Sequence, residues 1–217
     1  MMNELSLFER ILVWFFPVMF AITVHEIAHG WMAKKFGDDT ASKMGRMSLN
    51  PIKHIDPLGT IIIPGILLLT FTGYLFGWAK PVPVDPRNFK HPRQNMAVVA
   101  LAGPLSNLLM AIGWALIARI GVFLNTEFFS MLMIYPGIAG ISINLILMLI
   151  NLLPIPPLDG GRVLVGMLPI RLAYKFSQLE RYGFLILLLL LFSGVLNKLL
   201  GYPMFIVQKW FFNLAGL

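Results

Sequence analysis

The chain has 217 residues, of which 58% are hydrophobic and 12% are charged, and its mean hydropathy is +0.78. A soluble globular domain carries about 45–50% apolar and about 25% charged residues, so the composition indicates a membrane protein rather than a soluble domain. The net charge is +7, but the basic residues gather in loops beside apolar runs and form no stripe with interleaved aromatics. A nucleic-acid partner is therefore not expected. The chain contains no cysteine, which excludes disulfides and thiolate chemistry.

Several apolar runs are long enough to cross a bilayer, which takes about 20 mostly apolar residues. In chain order, these runs are residues 11–33, 57–77, 94–122, 128–153 and 182–200. The tail, 203–217, is shorter and contains Lys209, which indicates an interfacial helix or a partial span. The first run is too long for the apolar core of a secretory signal peptide and has no small-residue cleavage site, so we expect it to be retained.

The run 57–77, PLGTIIIPGILLLTFTGYLFG, differs from the others because Pro and Gly interrupt it. The positive-inside rule places the basic loops 34–56, 78–93 and 154–181 together in the cytoplasm. That arrangement is possible only if 57–77 enters and leaves on one side of the membrane. We therefore predict a re-entrant loop or a short β-hairpin near 57–77, sheltered by protein. Hydropathy alone supports the alternative of one ordinary span.

These patterns predict an all-α polytopic membrane protein with about five transmembrane helices and the irregular segment near 57–77. The segment 166–177, GMLPIRLAYKFS, favours a short amphipathic helix on the membrane surface. No internal repeat or low-complexity linker divides the chain. We therefore expect one integral-membrane domain over 1–217, with no soluble accessory domain.

The first apolar run contains HEIAH at residues 25–29, which has the spacing H-E-x-x-H. Because His25 and His29 are four residues apart, a helix places both imidazoles on one face, where they can bind one metal ion. Glu26 lies about 100° around such a helix from His25, near enough to reach a water at that metal. Ionisable groups inside a span are costly and mark functional sites by default. The alternative is structural, with His25 bonded to a neighbouring helix or Glu26 paired with a basic side chain.

A catalytic zinc site needs a third protein ligand and an open position. The remaining histidines, His54 and His91, lie in polar loops, whereas Asp159 in NLLPIPPLDGGR directly follows a span. An Asp-Gly-Gly sequence taken alone is more typical of a simple turn. Topology favours a ligand, because with 57–77 re-entrant Asp159 reaches the cytoplasmic side where the two histidines lie. With 57–77 as a full span, Asp159 would lie at the wrong face.

The two motifs together resemble the site-2 protease family of intramembrane zinc metalloproteases. Those enzymes pair H-E-x-x-H on one membrane helix with an L-D-G motif near the end of another. The resemblance covers roughly residues 15–180, and it includes GRMSLNPIKHIDPLGT and AGPLSN (102–107), which are similar to segments of compact bacterial and archaeal members. It implies one Zn²⁺ per chain held by His25, His29 and Asp159, with Glu26 as the catalytic base.

The resemblance also implies roles for other polar residues. Asn151 would face the active site and donate a hydrogen bond to the substrate carbonyl or the oxyanion. An asparagine that simply ends a helix before Pro154 is an equally ordinary explanation. Asn50 and His54 would line the substrate path. Two departures from the family are the lack of room for a PDZ or nucleotide-binding regulatory domain, and the missing extra span that archaeal-type members carry before H-E-x-x-H.

The implied activity is hydrolysis of a peptide bond within or near the transmembrane segment of a single-pass membrane protein. It would serve regulated intramembrane proteolysis or the clearance of signal-peptide remnants. The expected location is a prokaryotic plasma (inner) membrane, with the active site opening toward the cytoplasm. The substrate helix would unwind locally, and an edge strand at 45–49 or 60–63 would hold it by β-augmentation.

Other functions remain open at this point. A prenyl-protein or stress-type membrane protease would take a glutamate as third ligand, and the candidates are Glu127 and Glu180. A membrane metal transporter or a catalytically inactive scaffold would not be an enzyme. A transporter should show more metal-binding residues along its spans than this chain has.

Overall fold

The computed structural model describes residues 5–63, 66 and 77–217, and these residues are helical or irregular, with no strand among them. The predicted all-α class is confirmed for this part of the chain. The main helices are α1 (Leu7–Lys35), α2 (Thr40–Lys43), α3 (Pro92–Leu124), α4 (Tyr135–Asn151), α5 (Asp159–Met167), α6 (Ile170–Ser177), α7 (Glu180–Phe192) and α8 (Val195–Ala215). Single turns of 3₁₀ or π helix lie at Pro51–His54, Pro57–Ile62, Pro86–Asn88 and Ser130–Ile134.

Among the described residues, three helices are long and apolar enough to cross a membrane: Phe8–Lys35, Pro92–Leu124 and Glu127–Asn151. The number rises to four if α7 and α8, which meet at an angle of 76°, form one broken span. The structure thus shows three or four candidate spans where the sequence predicts about five. The predicted single span 182–200 is divided at Gly194, whose φ of +71° suits a residue without a side chain.

Local sequence signals set where the long helices begin and end. Ser6 and Glu9 form a capping box at the start of α1, in which each side chain satisfies the other's backbone N–H. Pro92 occupies the first turn of α3, where its missing N–H costs nothing. Asn125 then ends α3 in the left-handed conformation.

The central helix is α3, which packs against α1, α4, α5 and α8. Small residues allow close approach, since a Cβ added to Gly137 of α4 would lie 2.7 Å from the Cβ of Ala118. Trp114, Ile141, Leu145 and Phe211 fill the core between α3, α4 and α8. This tight packing brings polar side chains of α1, α3 and α4 within hydrogen-bonding distance.

The loops before and after 64–76 fold onto the C-terminal end of α1. Asp38 accepts hydrogen bonds from the backbone N–H of Asp85 at 2.8 Å and from Asn88 Nδ2 at 2.7 Å. Arg46 Nη2 donates to the carbonyl of Lys80 at 2.8 Å. These contacts lay the extended segment 78–85 across the end of the bundle.

The predicted re-entrant loop or hairpin at 57–77 lies partly outside the described residues, which omit 64–65 and 67–76. At its ends, Trp78 N donates to the carbonyl of Gly59 at 3.1 Å, and Thr60 Oγ1 donates to the carbonyl of Trp78 at 2.8 Å. The chain therefore leaves and returns at one place.

The edge strands predicted at 45–49 and 60–63 are wrong. Residues 45–49 are irregular, and 60–62 belong to the π-helical turn Pro57–Ile62. Asp56 caps this turn by accepting from the N–H of Gly59 at 2.7 Å, and Pro57 fixes φ at its first position. This start signal outweighs the β-branched character of TIII.

Candidate metal centre

Side chains from two distant parts of the sequence converge near the C-terminal end of α1, where Lys34 and Lys35 lie. His25 and His29 lie on one face of α1, with their Nε2 atoms 3.1 Å apart. Asp159, the first residue of α5 and 134 positions from His25, places Oδ2 at 3.2 Å from His25 Nε2 and 3.3 Å from His29 Nε2. All three residues are buried. The structure thus brings together the three ligands predicted from the sequence, in a cluster that could hold a metal ion.

A sharp return of the chain between α4 and α5 delivers Asp159 to the histidines. A Cβ on Gly160 would collide with the carbonyl oxygen of Leu152, and one on Gly161 would lie 2.6 Å from the backbone nitrogen of Pro156. Both positions therefore need glycine for the backbones to approach this closely. The two glycines after Asp159 are part of what aims its carboxylate.

The helix behind the histidines carries glycine for a similar reason. A Cβ on Gly103 of α3 would lie 2.5 Å from both Cε1 and Nε2 of His29 and 2.6 Å from Cε1 of His25. Real Cβ atoms do not approach other groups so closely, so any larger residue would displace the imidazoles. Gly103 therefore lets α3 form the wall against which the two rings stand.

The donor atoms fit a divalent cation. His29 Nδ1 lies 2.8 Å from the carbonyl oxygen of Val99, which can only accept, so Nδ1 carries the proton and Nε2 offers a lone pair. Asp159 Oδ2 is fully buried and has no hydrogen-bond donor among the described residues. Lone pairs that face one another in a buried site need a positive charge between them. Two imidazole nitrogens and one carboxylate oxygen are a donor set typical of catalytic zinc sites.

Glu26 lies beside the candidate metal ligands, and its carboxylate is held by a residue outside its own helix. Its Oε2 accepts a hydrogen bond from the backbone N–H of Val82 at 2.8 Å. Glu26 and Val82 line the same cavity as His25, His29 and Asp159. The cavity has a volume of about 140 Å³, which is enough for a few water molecules.

The other predicted site residues lie in different places. Asn151 lines this cavity, and its Nδ2 donates to the carbonyl of Leu147 at 3.0 Å. Asn50 caps a 3₁₀ turn by accepting from the N–H of Ile52, and His54 is buried with Nε2 bonded to the carbonyl of Ser48. Neither Asn50 nor His54 lines the cavity. The catalytic role of Asn151 and the substrate contacts of Asn50 and His54 stay predictions.

The glutamates considered as alternative third ligands do not reach the cluster. Glu180 Oε1 lies 3.9 Å from Arg162 Nη2, and Glu127 begins the short turn after α3. Within the described residues, the ligand group contains Asp159 and neither glutamate.

Sequence reasoning missed four residues that build the site. Val82 holds Glu26, Gly103 makes room for the imidazoles, and Asn107 on α3 lies 2.6 Å from His25 Nδ1 and is itself bonded to Asn144 on α4. The segment AGPLSN includes two of these residues, Gly103 and Asn107, but its sequence alone does not show which helix they face.

Comparison with known proteins decides the family. The family described as "Peptidase family M50" matches residues 120–194, a stretch that includes Asn151 and Asp159. The chain is also similar to "Putative zinc metalloprotease YwhC" of Bacillus subtilis (strain 168). The identity is 45% over 188 residues, which cover 85% of this chain and 81% of that relative.

The chain belongs to peptidase family M50. This confirms the resemblance that the two motifs indicate.

More distant relatives agree with the M50 assignment. "Putative zinc metalloprotease Rip2" of Mycolicibacterium smegmatis is 28% identical over 200 residues, covering 92% of this chain and 72% of the relative. "Putative zinc metalloprotease MJ0611" of Methanocaldococcus jannaschii is 30% identical over 142 residues, covering 64% and 62%. No solved structure gives a significant match to this M50 chain.

Proposed function

We propose that this M50 chain is an intramembrane zinc metalloprotease that hydrolyses a peptide bond within or near the transmembrane segment of a single-pass membrane protein. One observation carries the proposal. His25, His29 and Asp159 form a buried ligand cluster, and the carboxylate of Glu26 lines the same cavity. Family membership and the names of the relatives support zinc as the metal.

Each ligand has a defined part in holding the ion. His25 and His29 would bind it through Nε2, and Asp159 would bind it through Oδ2. When bound, zinc acts as a Lewis acid that activates water and polarises the scissile carbonyl. Three protein ligands leave a fourth position free, as a catalytic site requires.

Glu26 performs the proton transfers. With Oε2 held by the N–H of Val82, the carboxylate keeps a fixed orientation toward the cavity. It accepts a proton from the attacking water and passes that proton to the departing amine. Asn151 lies on the cavity wall and has one N–H beyond the bond to Leu147, so it supplies a donor for the developing oxyanion.

The position of the site along α1 supports cleavage below the membrane surface. His29 lies six residues before the end of α1 at Lys35, which is a depth of about 9 Å. Lys34 and Lys35 flank that end, and positive loops favour the cytoplasmic side. We therefore propose a prokaryotic plasma membrane location, with the site opening to the cytoplasm.

The contact between Gly59 and Trp78 supports a re-entrant course for 57–77. A segment that enters and leaves at one place returns the chain to the side it came from. Three spans, α1, α3 and the helix ending at Asn151, then suffice to bring Asp159 back to the histidines.

The size of the cavity limits the form of the substrate. The cavity beside the candidate metal ligands has a volume of about 140 Å³, room for a few water molecules, and a helix with its side chains is about 10 Å in diameter. A substrate segment must therefore unwind before its peptide bond meets the metal. Substrates with Gly, Pro or Asn near the cut should be cleaved faster than all-leucine spans, because their helices open more easily.

The test uses the purified full chain in lipid vesicles with a model single-pass substrate. The Glu26→Gln variant should keep about one zinc per chain and lose cleavage by at least about 100-fold. Glu9→Gln, at the opposite end of α1, is the matched control and should cleave at close to the wild-type rate. Wild-type cleavage by Glu26→Gln would overturn the proposal, as would zinc transport into the vesicles without any proteolysis.

A further inference from the structure

A chain of hydrogen bonds runs from His25 through the core to α4. His25 Nδ1 lies 2.6 Å from Asn107 Oδ1, and Asn107 Nδ2 lies 2.9 Å from Asn144 Oδ1. Asn144 Nδ2 lies 2.8 Å from the carbonyl oxygen of Gly140. Both asparagines are completely buried. Buried amides of this kind are costly unless every polar group has its partner.

The donor and the acceptor of each hydrogen bond in this series follow from the last bond, the one to the Gly140 carbonyl. The carbonyl of Gly140 can only accept, so the Asn144 NH₂ faces it and Oδ1 of Asn144 faces Asn107. The Asn107 NH₂ must then donate to Asn144, and it also faces the carbonyl of Ala21 at 3.5 Å. That leaves Oδ1 of Asn107 for His25, whose Nδ1 must therefore be the donor.

These bond directions determine the tautomer of His25, which is a proposed metal ligand. With its proton on Nδ1, neutral His25 has a bare Nε2, which points toward His29 and Asp159. The nitrogen that binds a metal is set by the hydrogen bond that the other nitrogen makes. His29 obtains the same tautomer directly from the Val99 carbonyl, whereas His25 obtains it through two side chains.

We propose that Asn107 and Asn144 are positioning residues that lock His25 in the Nδ1–H tautomer and aim its Nε2 at the metal. Asn107 acts on the ligand, and Asn144 acts by orienting the amide of Asn107. The proposal deepens the function proposed above and rests on the metal site that it assigns. Loss of such outer hydrogen bonds typically weakens metal binding by about 10–100-fold.

The tautomer itself can be observed without any metal. The chain has four histidines, so ¹⁵N-histidine labelling gives a simple spectrum, and a His25→Ala variant identifies the His25 signals. In metal-free wild type at about pH 9, above the pKa of an ordinary histidine, the proton of His25 should lie on Nδ1. A proton on Nε2 of His25 would overturn the proposal.

Metal affinity of designed variants separates orientation from packing. Asn107→Leu has nearly the shape of asparagine but cannot accept, and it should weaken Co²⁺ and Zn²⁺ binding by about 10–100-fold. Asn107→Asp keeps an oxygen that accepts from Nδ1 but loses the NH₂ that donates to Asn144, so it should bind more tightly than Asn107→Leu and more weakly than wild type. A purely structural role predicts the reverse order, because a buried charge disrupts the core more than an apolar isostere.

The matched control is Ser142→Ala on α4. Ser142 is buried and bonded to Gln208 at 3.0 Å, but it has no bond to Asn107 or His25. It should leave metal affinity within about twofold. Asn144→Leu should weaken binding, since Asn107 loses the acceptor that orients its amide.

The two proposals fail in different ways. If wild type binds neither Co²⁺ nor Zn²⁺, the proposed function fails, and the ¹⁵N spectrum still decides the tautomer. If wild type binds and Asn107→Leu binds equally tightly, the positioning role is wrong and the metal site stands.

Discussion

Val82 donates its backbone N–H to Glu26 Oε2 at 2.8 Å, although 56 positions separate the two residues. The segment that carries Val82 is held in place by Asp38 and Arg46 at the end of α1. The proposed catalytic base is therefore oriented by a loop rather than by the helix on which it lies.

Replacing Val82 with proline tests this orientation, because proline has no N–H to donate. Val82→Pro should lower kcat by about 10- to 100-fold while the zinc content stays at one per chain, since a hydrogen bond to a charged group contributes about 1.5–3 kcal/mol. Val82→Ala keeps the N–H and should retain nearly full kcat. An unchanged kcat in Val82→Pro would show that the bond does not orient Glu26.

A second prediction concerns Gly103, whose missing side chain makes room for the two imidazoles. Gly103→Ala should weaken zinc binding by at least about tenfold, because the new methyl group would displace ligand rings held in precise geometry. Gly113 lies on the same helix, and a Cβ there would meet nothing within 4 Å. Gly113→Ala should therefore keep wild-type affinity. Equal affinities in the two variants, measured by competition with a chelator, would contradict the packing shown at Gly103.

A third prediction concerns Asp38, which is buried and accepts bonds from Thr40, Asp85 and Asn88. Burial opposes the charge on Asp38, but these hydrogen bonds outweigh it and hold its pKa below the ordinary 3.8. Asp38→Asn should lower the free energy of unfolding by about 1–3 kcal/mol at neutral pH. Denaturant titration in detergent micelles provides the measurement.

The pH dependence of this effect has a defined sign. The unfolded chain binds the proton of Asp38 at higher pH than the folded chain does, so the stabilisation is complete above the ordinary pKa and is lost as pH falls through the folded value. The difference between wild type and Asp38→Asn should therefore shrink below about pH 4. The exposed neighbour Asp39 is the control, and Asp39→Asn should change stability by less than about 0.5 kcal/mol. A difference that grows in acid would contradict the assignment.

A fourth prediction concerns Asn151, the proposed oxyanion donor. Asn151→Ala should lower kcat by about 100-fold or more and leave zinc content unchanged, because the donor acts on charge that develops during the reaction. Asn50→Ala is an informative comparison, since Asn50 caps a turn away from the cavity. Similar kcat values for wild type and Asn151→Ala would show that Asn151 does not stabilise the oxyanion.

The candidate ligands could be predicted from sequence because their signals are local. HEIAH fixes two imidazoles on one helical face, and Asp159 is marked by prolines before it and glycines after it. The basic loops then indicate that the C-terminal end of α1 and Asp159 lie on the same side of the membrane. The convergence of these three residues depends on helix periodicity and on the distribution of charge, and both can be determined from a single sequence.

Other features depend on tertiary packing and were not predictable in this way. Asn107, Gly103 and Val82 matter because of the helix or side chain that each one meets, and nothing in their neighbours specifies that partner. The break at Gly194 was also missed, because an apolar run that continues across one glycine gives the same hydropathy whether it is straight or bent.

Metal analysis of the purified protein and of Asp159→Ala tests the central claim most directly. Wild type should contain about one zinc per chain, and Asp159→Ala should lose most of it, because two imidazoles alone bind zinc weakly. Asp39→Ala, with a carboxylate removed outside the cluster, should keep its zinc. Full zinc content in Asp159→Ala, or none in wild type, would contradict the account.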